Sequence, residues 1–312
     1  MSMTFSVVIP TRDRFRQLLD CLEALGTQDF PREQFEVIVV NDGSREPVPP
    51  QISAFADRLS LTIINRAQSE GPGVARNHGG DAARCKYLAF TDDDCTPAPD
   101  WLSSLAARFR EFPNELVGGR VVNALTDNPY SSAAHVILDV VYVYYDPNKG
   151  RPHFFPTSNF AMSTENFREI GGFNESWPLA AAEDRELCYR WIQRGFRMAH
   201  APEAIVYHRH RLTFLSFFSL HFKYGRGAYH YHQLRGGGTG EGGLKPDWPF
   251  YWSCLRYPFS QMEFSRALNL EALLLVWQGA NAAGYLWQKF FSSSAIPSPA
   301  TTVSRRDPAV RV

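Results

Sequence analysis

Four short apolar runs in the first 95 residues constrain the fold more than any other feature of the sequence. They occupy residues 5–10, 35–40, 61–64 and 87–90. Short continuous runs rich in β-branched residues are typical of buried strands, and stretches with helical apolar spacing separate them. Strands that alternate with helices need crossover connections, which give a mainly parallel sheet. We therefore predict an α/β fold with a doubly wound, mostly parallel sheet and helices on both faces.

The fourth run ends in three consecutive carboxylates, Asp92, Asp93 and Asp94. Adjacent carboxylates repel each other unless a cation neutralises them, and oxygen ligands suit Mg²⁺ or Mn²⁺. Open α/β sheets bind ligands outside the carboxyl ends of their strands. Aspartate is also common in solvated turns, so the triplet alone favours a metal site and a simple turn equally.

Polar residues follow the other predicted strands as well. They include Thr11-Arg12-Asp13, Asn41-Asp42-Gly43-Ser44 and, on the helix that Gly71-Pro72-Gly73 opens, Arg76-Asn77. A single turn aspartate usually caps its own loop. Because the carboxyl ends of neighbouring parallel strands lie along one edge of a sheet, we expect this larger set to converge on one crevice.

Two further clusters lie downstream. Glu183 and Asp184 open a predicted helix, and His208-Arg209-His210 follows a predicted strand. Acidic residues also favour the first turn of a helix because of its dipole, so Glu183 and Asp184 need no functional explanation. The two histidines around Arg209 favour metal ligation or phosphate binding.

Composition and charge exclude some classes of protein. Lys plus Arg and Asp plus Glu number 32 each, so the formal net charge is zero, whereas nucleic-acid-binding domains usually carry a basic face. The five cysteines have no metal-type spacing and suit a reducing compartment. We find no signal-peptide pattern and no apolar stretch of the roughly 20 residues that a spanning helix needs. We therefore expect a cytoplasmic protein that does not bind nucleic acid.

An ordered set of motifs resembles the family 2 glycosyltransferases over about residues 1–210. The motifs are Val8-Ile-Pro-Thr11, Val39-Val-Asn-Asp-Gly-Ser44, Gly73-Val-Ala-Arg-Asn77, Phe90-Thr-Asp-Asp-Asp94, Gly171-Gly-Phe-Asn-Glu175, Glu183-Asp184 with Leu187 and Arg190, and His208. Single pieces are weak signals, but the ordered set is specific. The resemblance implies a GT-A fold and a hexosyltransferase-type enzyme that inverts the anomeric centre.

The resemblance also implies a role for individual residues. The nucleotide-sugar donor would be bound by Thr11, Asp42, Arg76, Asp92 and Asp93. The metal ion, Mg²⁺ or Mn²⁺, would be bound by Asp94 and His208, and the general base would be Asp184. Glu183 competes for the base role and, with Trp177, is a candidate acceptor contact. The implied acceptor is a hydroxyl of a glycan or lipid-linked molecule, and the implied pathway is surface polysaccharide assembly.

We predict three segments. A GT-A catalytic domain covers residues 1–212, with a nucleotide-sugar half at about 1–95 and an acceptor half at about 96–212. Residues 213–291 form a helical, aromatic and basic extension, and residues 292–312 a disordered tail. Two interpretations of the extension stay open: helices on the inner face of the plasma membrane, where rings and cations suit the headgroup region, or a helical appendage with no membrane contact.

Two alternative functions also stay open. A degenerate transferase would bind a nucleotide-sugar or glycan without catalysis, and it would lack the acidic motif, the base or His208. A nucleotidyltransferase would typically carry a glycine-rich basic loop after its first strand to hold a triphosphate. Thr11-Arg12-Asp13-Arg14 has the charge but no glycine.

Overall fold

A mixed sheet of eight strands positions the polar residues. The computed structural model describes residues 3–144, 154–177, 179–235 and 248–291. The strands are β1 Phe5–Thr11, β2 Phe35–Asp42, β3 Leu61–Arg66, β4 Tyr87–Phe90, β5 Cys95–Pro97, β6 Leu116–Asn123, β7 Phe160–Ser163 and β8 Met198–His208. Their order in the sheet is β3-β2-β1-β4-β7-β6-β8-β5.

The four strands predicted first form a parallel unit, as expected. β1 pairs in parallel with both β2 and β4, and β2 pairs in parallel with β3. β7 then runs antiparallel to β4 and β6, and β5 runs antiparallel to β8. The sheet is therefore parallel over β1 to β4 and mixed beyond β4.

Helices cover both faces of the sheet. They are α1 Phe15–Gly26, α2 Pro50–Ser53, α3 Pro72–Ala82, α4 Trp101–Glu111, α5 Pro129–Tyr144, α6 Thr164–Glu169, α7 Glu183–Gln193, α8 Phe214–Arg235, α9 Trp248–Gln261 and α10 Phe264–Phe291. Successive residues of a strand point to opposite faces. Val7 accordingly packs in the cluster that holds Leu22 and Trp101, and Val8 in the cluster that holds Phe167 and Trp191.

Several element predictions differ from the structure. The apolar pattern of residues 154–162 would favour a strand over its whole length, but only β7 forms, because a 3-10 turn at Thr157–Asn159 precedes it. That turn lets the buried Asn159 side chain donate to the carbonyl oxygens of Arg120 and Ala204, at 2.9 and 2.8 Å. Neither β5 nor α9 was predicted, since β5 has three residues and α9 contains Pro258.

Some sequence predictions fall on residues outside the described ranges. They concern Tyr145, where the helical apolar spacing of residues 131–145 ends, the glycine-rich residues 236–243, whose composition predicts a flexible break, and the predicted tail at 292–312. The five cysteines are all buried and free. Among the helices in the described ranges, none combines the length and the hydrophobicity required to span a membrane.

The last three helices pack on the rest of the protein. Phe217 of α8 and Leu274 of α10 belong to one apolar cluster with Val140 of α5. α8 and α10 approach closely because Gly225 faces the backbone carbonyl of Asn281. A Cβ atom at Gly225 would collide with that carbonyl.

We predict that Gly225→Ala lowers the melting temperature. The collision is with backbone rather than with a flexible side chain, so α8 and α10 must separate, at a cost of roughly 1–3 kcal/mol. Gly279→Ala on α10 is the matched control, because in the described ranges nothing beyond its own helix backbone lies within 4 Å of where a Cβ would be. That control should be neutral or stabilising, by up to about 1 kcal/mol through helix propensity. Equal melting temperatures for the two variants would contradict the close approach of α8 and α10.

Candidate active site

The carboxyl ends of β1, β2 and β4 lie side by side, and they bring the predicted polar residues together. Thr11 ends β1, Asp42 ends β2 and the acidic triplet follows β4. The Thr11 hydroxyl donates to Asp93 Oδ2 at 2.7 Å. The predicted convergence of these strand ends is confirmed.

Asp93, the middle residue of the triplet, points into the protein and is fully buried. Arg14 Nη2 lies 2.5 Å from Asp93 Oδ1, and Arg14 Nε donates to Asp93 Oδ2 at 3.2 Å. Burial raises the pKa of Asp93 to about 7, although Arg14 opposes this shift. Asp93 therefore joins the turn after β1 to the acidic triplet, while its predicted contact with the donor stays a prediction.

Asp94 lies between two cationic side chains. Arg14 Nη1 donates to Asp94 Oδ2 at 2.8 Å, and His208 Nε2 lies 3.2 Å from Asp94 Oδ1. Burial raises the pKa of Asp94, but His208 and Arg14 outweigh burial and lower it. Burial likewise lowers the pKa of His208, and Asp94 more than reverses that shift. Asp94 is therefore an ionised acceptor at neutral pH.

The side chains around Asp94 fit a divalent cation. One ligand atom each from Asp94, Cys95 and His208 lies within 4.8 Å of the others. Burial raises the pKa of the Cys95 thiol well above its ordinary value, so the thiol stays protonated and is a poor ligand. A carboxylate beside an imidazole remains, and the carboxylate oxygens suit Mg²⁺ or Mn²⁺.

His208 reaches Asp94 through an unexpected strand. β5 directly follows the acidic triplet and pairs with β8, with Cys95 opposite His208. The backbone N–H of Arg209 also donates to the Asp94 carbonyl oxygen at 2.8 Å. The antiparallel β5–β8 pair thus holds the two predicted metal ligands together across more than a hundred residues of sequence.

Arg76 connects the acidic triplet to the start of α7. Its Nη2 donates to Asp92 Oδ1 at 2.7 Å and its Nη1 to Glu183 Oε1 at 3.3 Å. The guanidinium is 4% exposed and lies over the ring of Phe173. The structure therefore places Arg76 between Asp92 and Glu183, and its contact with the nucleotide stays a prediction.

Glu183 and Asp184 form a partly buried acidic pair at the start of α7. Burial and the neighbouring Asp184 raise the pKa of Glu183 to about 7, and burial also raises the pKa of Asp184. Asp184 Oδ1 accepts from the backbone N–H of Arg185 at 2.8 Å. Ala182, which precedes the pair, has φ of +65°, a conformation that costs a non-glycine residue energy.

Asp42 organises the loop that leads into α3. Its carboxylate accepts from Ser69 Oγ at 2.8 Å and from the backbone N–H groups of Gly71 and Glu70 at 2.9 and 3.1 Å. Arg66 Nη1 lies 3.4 Å away. Asp42 thus has protein partners at both oxygens, and its predicted contact with the base of the donor stays a prediction.

Trp177 supports the loop before the acidic pair. The indole is 8% exposed, and its Nε1 donates to the carbonyl oxygen of Ala181 at 2.8 Å. Gly227 of α8 packs on the same carbonyl, 2.6 Å from where its Cβ would be. Helix α8 therefore contacts the loop that precedes Glu183. The predicted acceptor contact of Trp177 stays a prediction.

A cavity of about 600 Å³ opens beside these groups. Asp92, Glu183, Asp184 and His208 line one part of it, and α5, α8 and α10 supply the other walls. Ligand sites of small molecules have volumes of this order. Arg14, which the sequence motifs did not single out, adjoins this region through Asp94.

Comparisons with known proteins decide the family. The family model described as "Glycosyl transferase family 2" matches residues 6–171, more than half of the chain. The chain belongs to glycosyltransferase family 2. The resemblance seen in its motifs is confirmed.

Two relatives illustrate the extent of the similarity. The pre-mycofactocin glycosyltransferase of Mycobacterium tuberculosis is 33% identical over 218 residues, which cover 66% of this chain and 43% of the relative. Glycosyltransferase AglE of Haloferax volcanii is 26% identical over 225 residues, which cover 71% of this chain and 72% of the relative. The chain thus spans less than half the length of the mycobacterial relative.

Solved structures confirm the GT-A fold. The mannosyltransferase PcManGT from Pyrobaculum calidifontis, in complex with GDP-Man and Mn²⁺, matches with a TM-score of 0.65 and 17% identity over 93% of this chain and 88% of its own. TarS 1–349 of S. aureus with UDP-GlcNAc matches with a TM-score of 0.54 and 18% identity over 91% and 89%. At these identities the likeness shows the fold alone.

We predict that Arg76→Met destabilises the protein most at high pH. The substitution leaves the partly buried carboxylates of Asp92 and Glu183 without their cation, at a cost of about 1–3 kcal/mol. The pKa of Glu183, about 7 against an ordinary 4.5, would rise further. A raised carboxyl pKa gives stability at low pH that is lost as pH rises through this range. The melting-temperature deficit should therefore be larger at about pH 8 than at about pH 5.

Arg58→Met is the control for this experiment. Arg58 also forms a two-point ion pair, with Glu23, but the pair is exposed. Exposed pairs contribute about 0–1 kcal/mol. A pH-independent deficit in the Arg76 variant, or an equal deficit in the Arg58 variant, would contradict the role of Arg76.

Proposed function

We propose that the protein transfers a sugar from a nucleoside diphosphate donor to a hydroxyl of a glycan or lipid-linked acceptor, with inversion and with Mg²⁺ or Mn²⁺. One observation carries the proposal: Asp184 and the Asp94–His208 pair lie on different elements, and Asp184 and His208 line the same cavity. The solved neighbours in complex with GDP-Man and Mn²⁺ and with UDP-GlcNAc support this donor class.

Asp184 is the general base in this proposal. A sugar hydroxyl is a weak nucleophile, so a carboxylate must take its proton during attack. Inversion requires the base and the leaving group on opposite sides of the sugar, which suits a base on α7 and a metal site between β4 and β8. Burial raises the pKa of Asp184, which brings the base nearer to neutral pH, where proton transfer is efficient.

Asp94 and His208 would hold the metal. When bound, the cation would stabilise the negative charge that develops on the departing diphosphate. Arg14, paired with Asp93 and Asp94, adds a second positive charge at this place. The other residues of the proposed donor site are Thr11, Asp42, Arg76, Asp92 and Asp93. Thr11 and Asp93 would act indirectly, by holding the turn that follows β1.

The catalytic domain in this proposal covers residues 1–212, and residues 213–291 form its helical extension. We propose a cytoplasmic protein bound peripherally to the inner face of the plasma membrane and engaged in surface polysaccharide assembly. Exposed aromatic residues at the end of α10 support the membrane contact: Phe290 and Phe291 are 68% and 76% exposed, beside the exposed Lys289. Rings and cations together suit an anionic lipid surface.

We predict that Asp184→Asn binds the donor but loses transfer. The amide keeps the size of the side chain and cannot accept the acceptor's proton, so we expect a fall in turnover of about 10²-fold or more. Donor affinity is measured by calorimetry and transfer by release of the nucleoside diphosphate. Glu183→Gln is the comparison variant. Near-normal turnover of Asp184→Asn, with Glu183→Gln inactive, would assign the base to Glu183.

We predict that Asp94→Ala weakens metal-dependent donor binding. Loss of the ionised carboxylate removes a proposed metal ligand, and we expect the donor affinity in Mn²⁺ to fall about tenfold or more. Calorimetry in Mn²⁺ and in EDTA measures the effect. Asp57→Ala, at an exposed aspartate, should change nothing. An Asp94 variant with unchanged affinity in both buffers would remove Asp94 from the site.

We predict that the double substitution Phe290→Ser and Phe291→Ser reduces binding of the protein to vesicles that contain phosphatidylglycerol. The two rings would lose their burial in the interface, while net charge stays constant. Vesicle co-sedimentation measures the bound fraction. Ile192→Ser on α7, where Ile192 is 39% exposed, is the control. Equal binding of all three proteins would contradict the contact through α10.

A further inference from the structure

The helices give the cavity mainly apolar walls. Their apolar lining side chains include Ile137, Leu138, Val141, Leu220, Phe250 and Trp277. Glu183 and Asp184 line the same cavity. Val141 and Trp277 are 7% and 8% exposed, so this part of the cavity lining consists of buried side chains. If the reacting hydroxyl of an acceptor lies beside Asp184, the rest of the acceptor would contact these apolar side chains.

The helical walls also carry polar side chains, among them Gln278, Asn281 and His221. His221 of α8 lines the cavity and is 2% exposed. Within the described parts of the chain, neither of its ring nitrogens has a hydrogen-bond partner. A buried polar group without a partner costs about 1–3 kcal/mol, and native proteins seldom retain one without a reason.

Aromatic rings hold His221 in place. Its imidazole packs edge-on to Phe217 at 4.5 Å, Tyr224 at 5.6 Å and Trp277 at 6.3 Å between ring centroids. Burial lowers the pKa of His221 to about 3, so the ring is neutral at physiological pH. A neutral imidazole offers one donor and one acceptor, which suits a hydroxyl, amide or ether group of a ligand rather than a charge.

We propose that this cavity binds the acceptor and that it selects acceptors with an apolar body, an alkyl chain or an aromatic ring, carrying a polar group that bonds to His221. The inference deepens the proposed function and rests on it. The cavity is continuous with Asp184, so an occupant in contact with His221 can also present a hydroxyl to the base. His221 acts here as a specificity-determining residue.

Simple glucosides test the proposal without knowledge of the natural acceptor. Methyl, butyl, hexyl and octyl β-glucoside, kept below micelle formation, are titrated into the full chain by calorimetry, together with phenyl β-glucoside. Each buried CH₂ group contributes about 0.8 kcal/mol, so affinity should rise roughly threefold to fourfold per added CH₂. A steep rise for the alkyl series favours a lipid-type acceptor. Tight binding of the phenyl compound alone favours an aromatic acceptor, and both results support the proposal.

Cavity-filling variants locate the binding. Ala134→Phe on α5 and Ala228→Phe on α8 introduce rings at cavity-lining positions and should abolish the dependence on chain length. The two variants alter different walls of the cavity, so the test remains valid if one of them fails to fold. Ala283→Phe on α10, at an exposed alanine outside the cavity lining, is the control and should behave as the parent. The proposal would be overturned if affinity did not change along the alkyl series and phenyl β-glucoside bound no more tightly than methyl β-glucoside. An equal loss in the control variant would also overturn it.

His221→Phe separates the polar contact from the apolar one. The phenyl ring keeps the shape, so the dependence on chain length should persist while affinity for every glucoside falls about fivefold to tenfold. His221→Gln should recover part of that loss, and unchanged affinity in His221→Phe would overturn the role of His221. Donor binding, measured separately in Mn²⁺, tests the proposed function. Loss of donor binding with intact glucoside binding would therefore count against the donor chemistry and not against the acceptor cavity.

Discussion

Five carboxylates lie close together at the end of the sheet where the site lies, and their negative charges repel one another. Asp92, Asp93, Asp94, Glu183 and Asp184 are gathered there and largely withdrawn from water. Carboxylates so close together can remain ionised only beside positive charge. Arg14, Arg76 and His208 provide it, each from a different element. The arrangement of β1, α3 and β8 around β4 is therefore tied to the electrostatics of the acidic triplet.

The three cationic residues divide the acidic residues into groups with different properties. Arg14 and His208 lower the pKa of Asp94, which keeps it ionised. Glu183 shares Arg76 with Asp92 and has a raised pKa, as does Asp184. One group suits a cation and the other suits proton transfer. A single fold thus maintains two carboxylate environments at one end of the sheet, a pattern typical of acid–base enzymes.

Much of this arrangement could be predicted from the sequence, and the reasons for the rest are physical. Apolar runs predict β1, β2 and β4 because these strands are buried on both faces, and a shorter run predicts the half-buried edge strand β3. The strand-end motifs predict the convergence of Thr11, Asp42 and the triplet. β5 has too few residues to give a periodic signal, yet it brings His208 to Asp94. The ion pairs of Arg14 and Arg76 and the burial of His221 depend on packing between distant segments, which no local pattern encodes.

Binding of a nucleotide-sugar in the presence of a divalent cation tests the central claim most directly. Thermal shift with UDP-, GDP- and dTDP-linked sugars, each with and without Mn²⁺, and with the nucleoside triphosphates alongside, covers the proposed donors and the nucleotidyltransferase alternative. The account predicts that at least one nucleotide-sugar raises the melting temperature and that removal of Mn²⁺ largely abolishes the shift. Stabilisation by a nucleoside triphosphate with none by any nucleotide-sugar would contradict it.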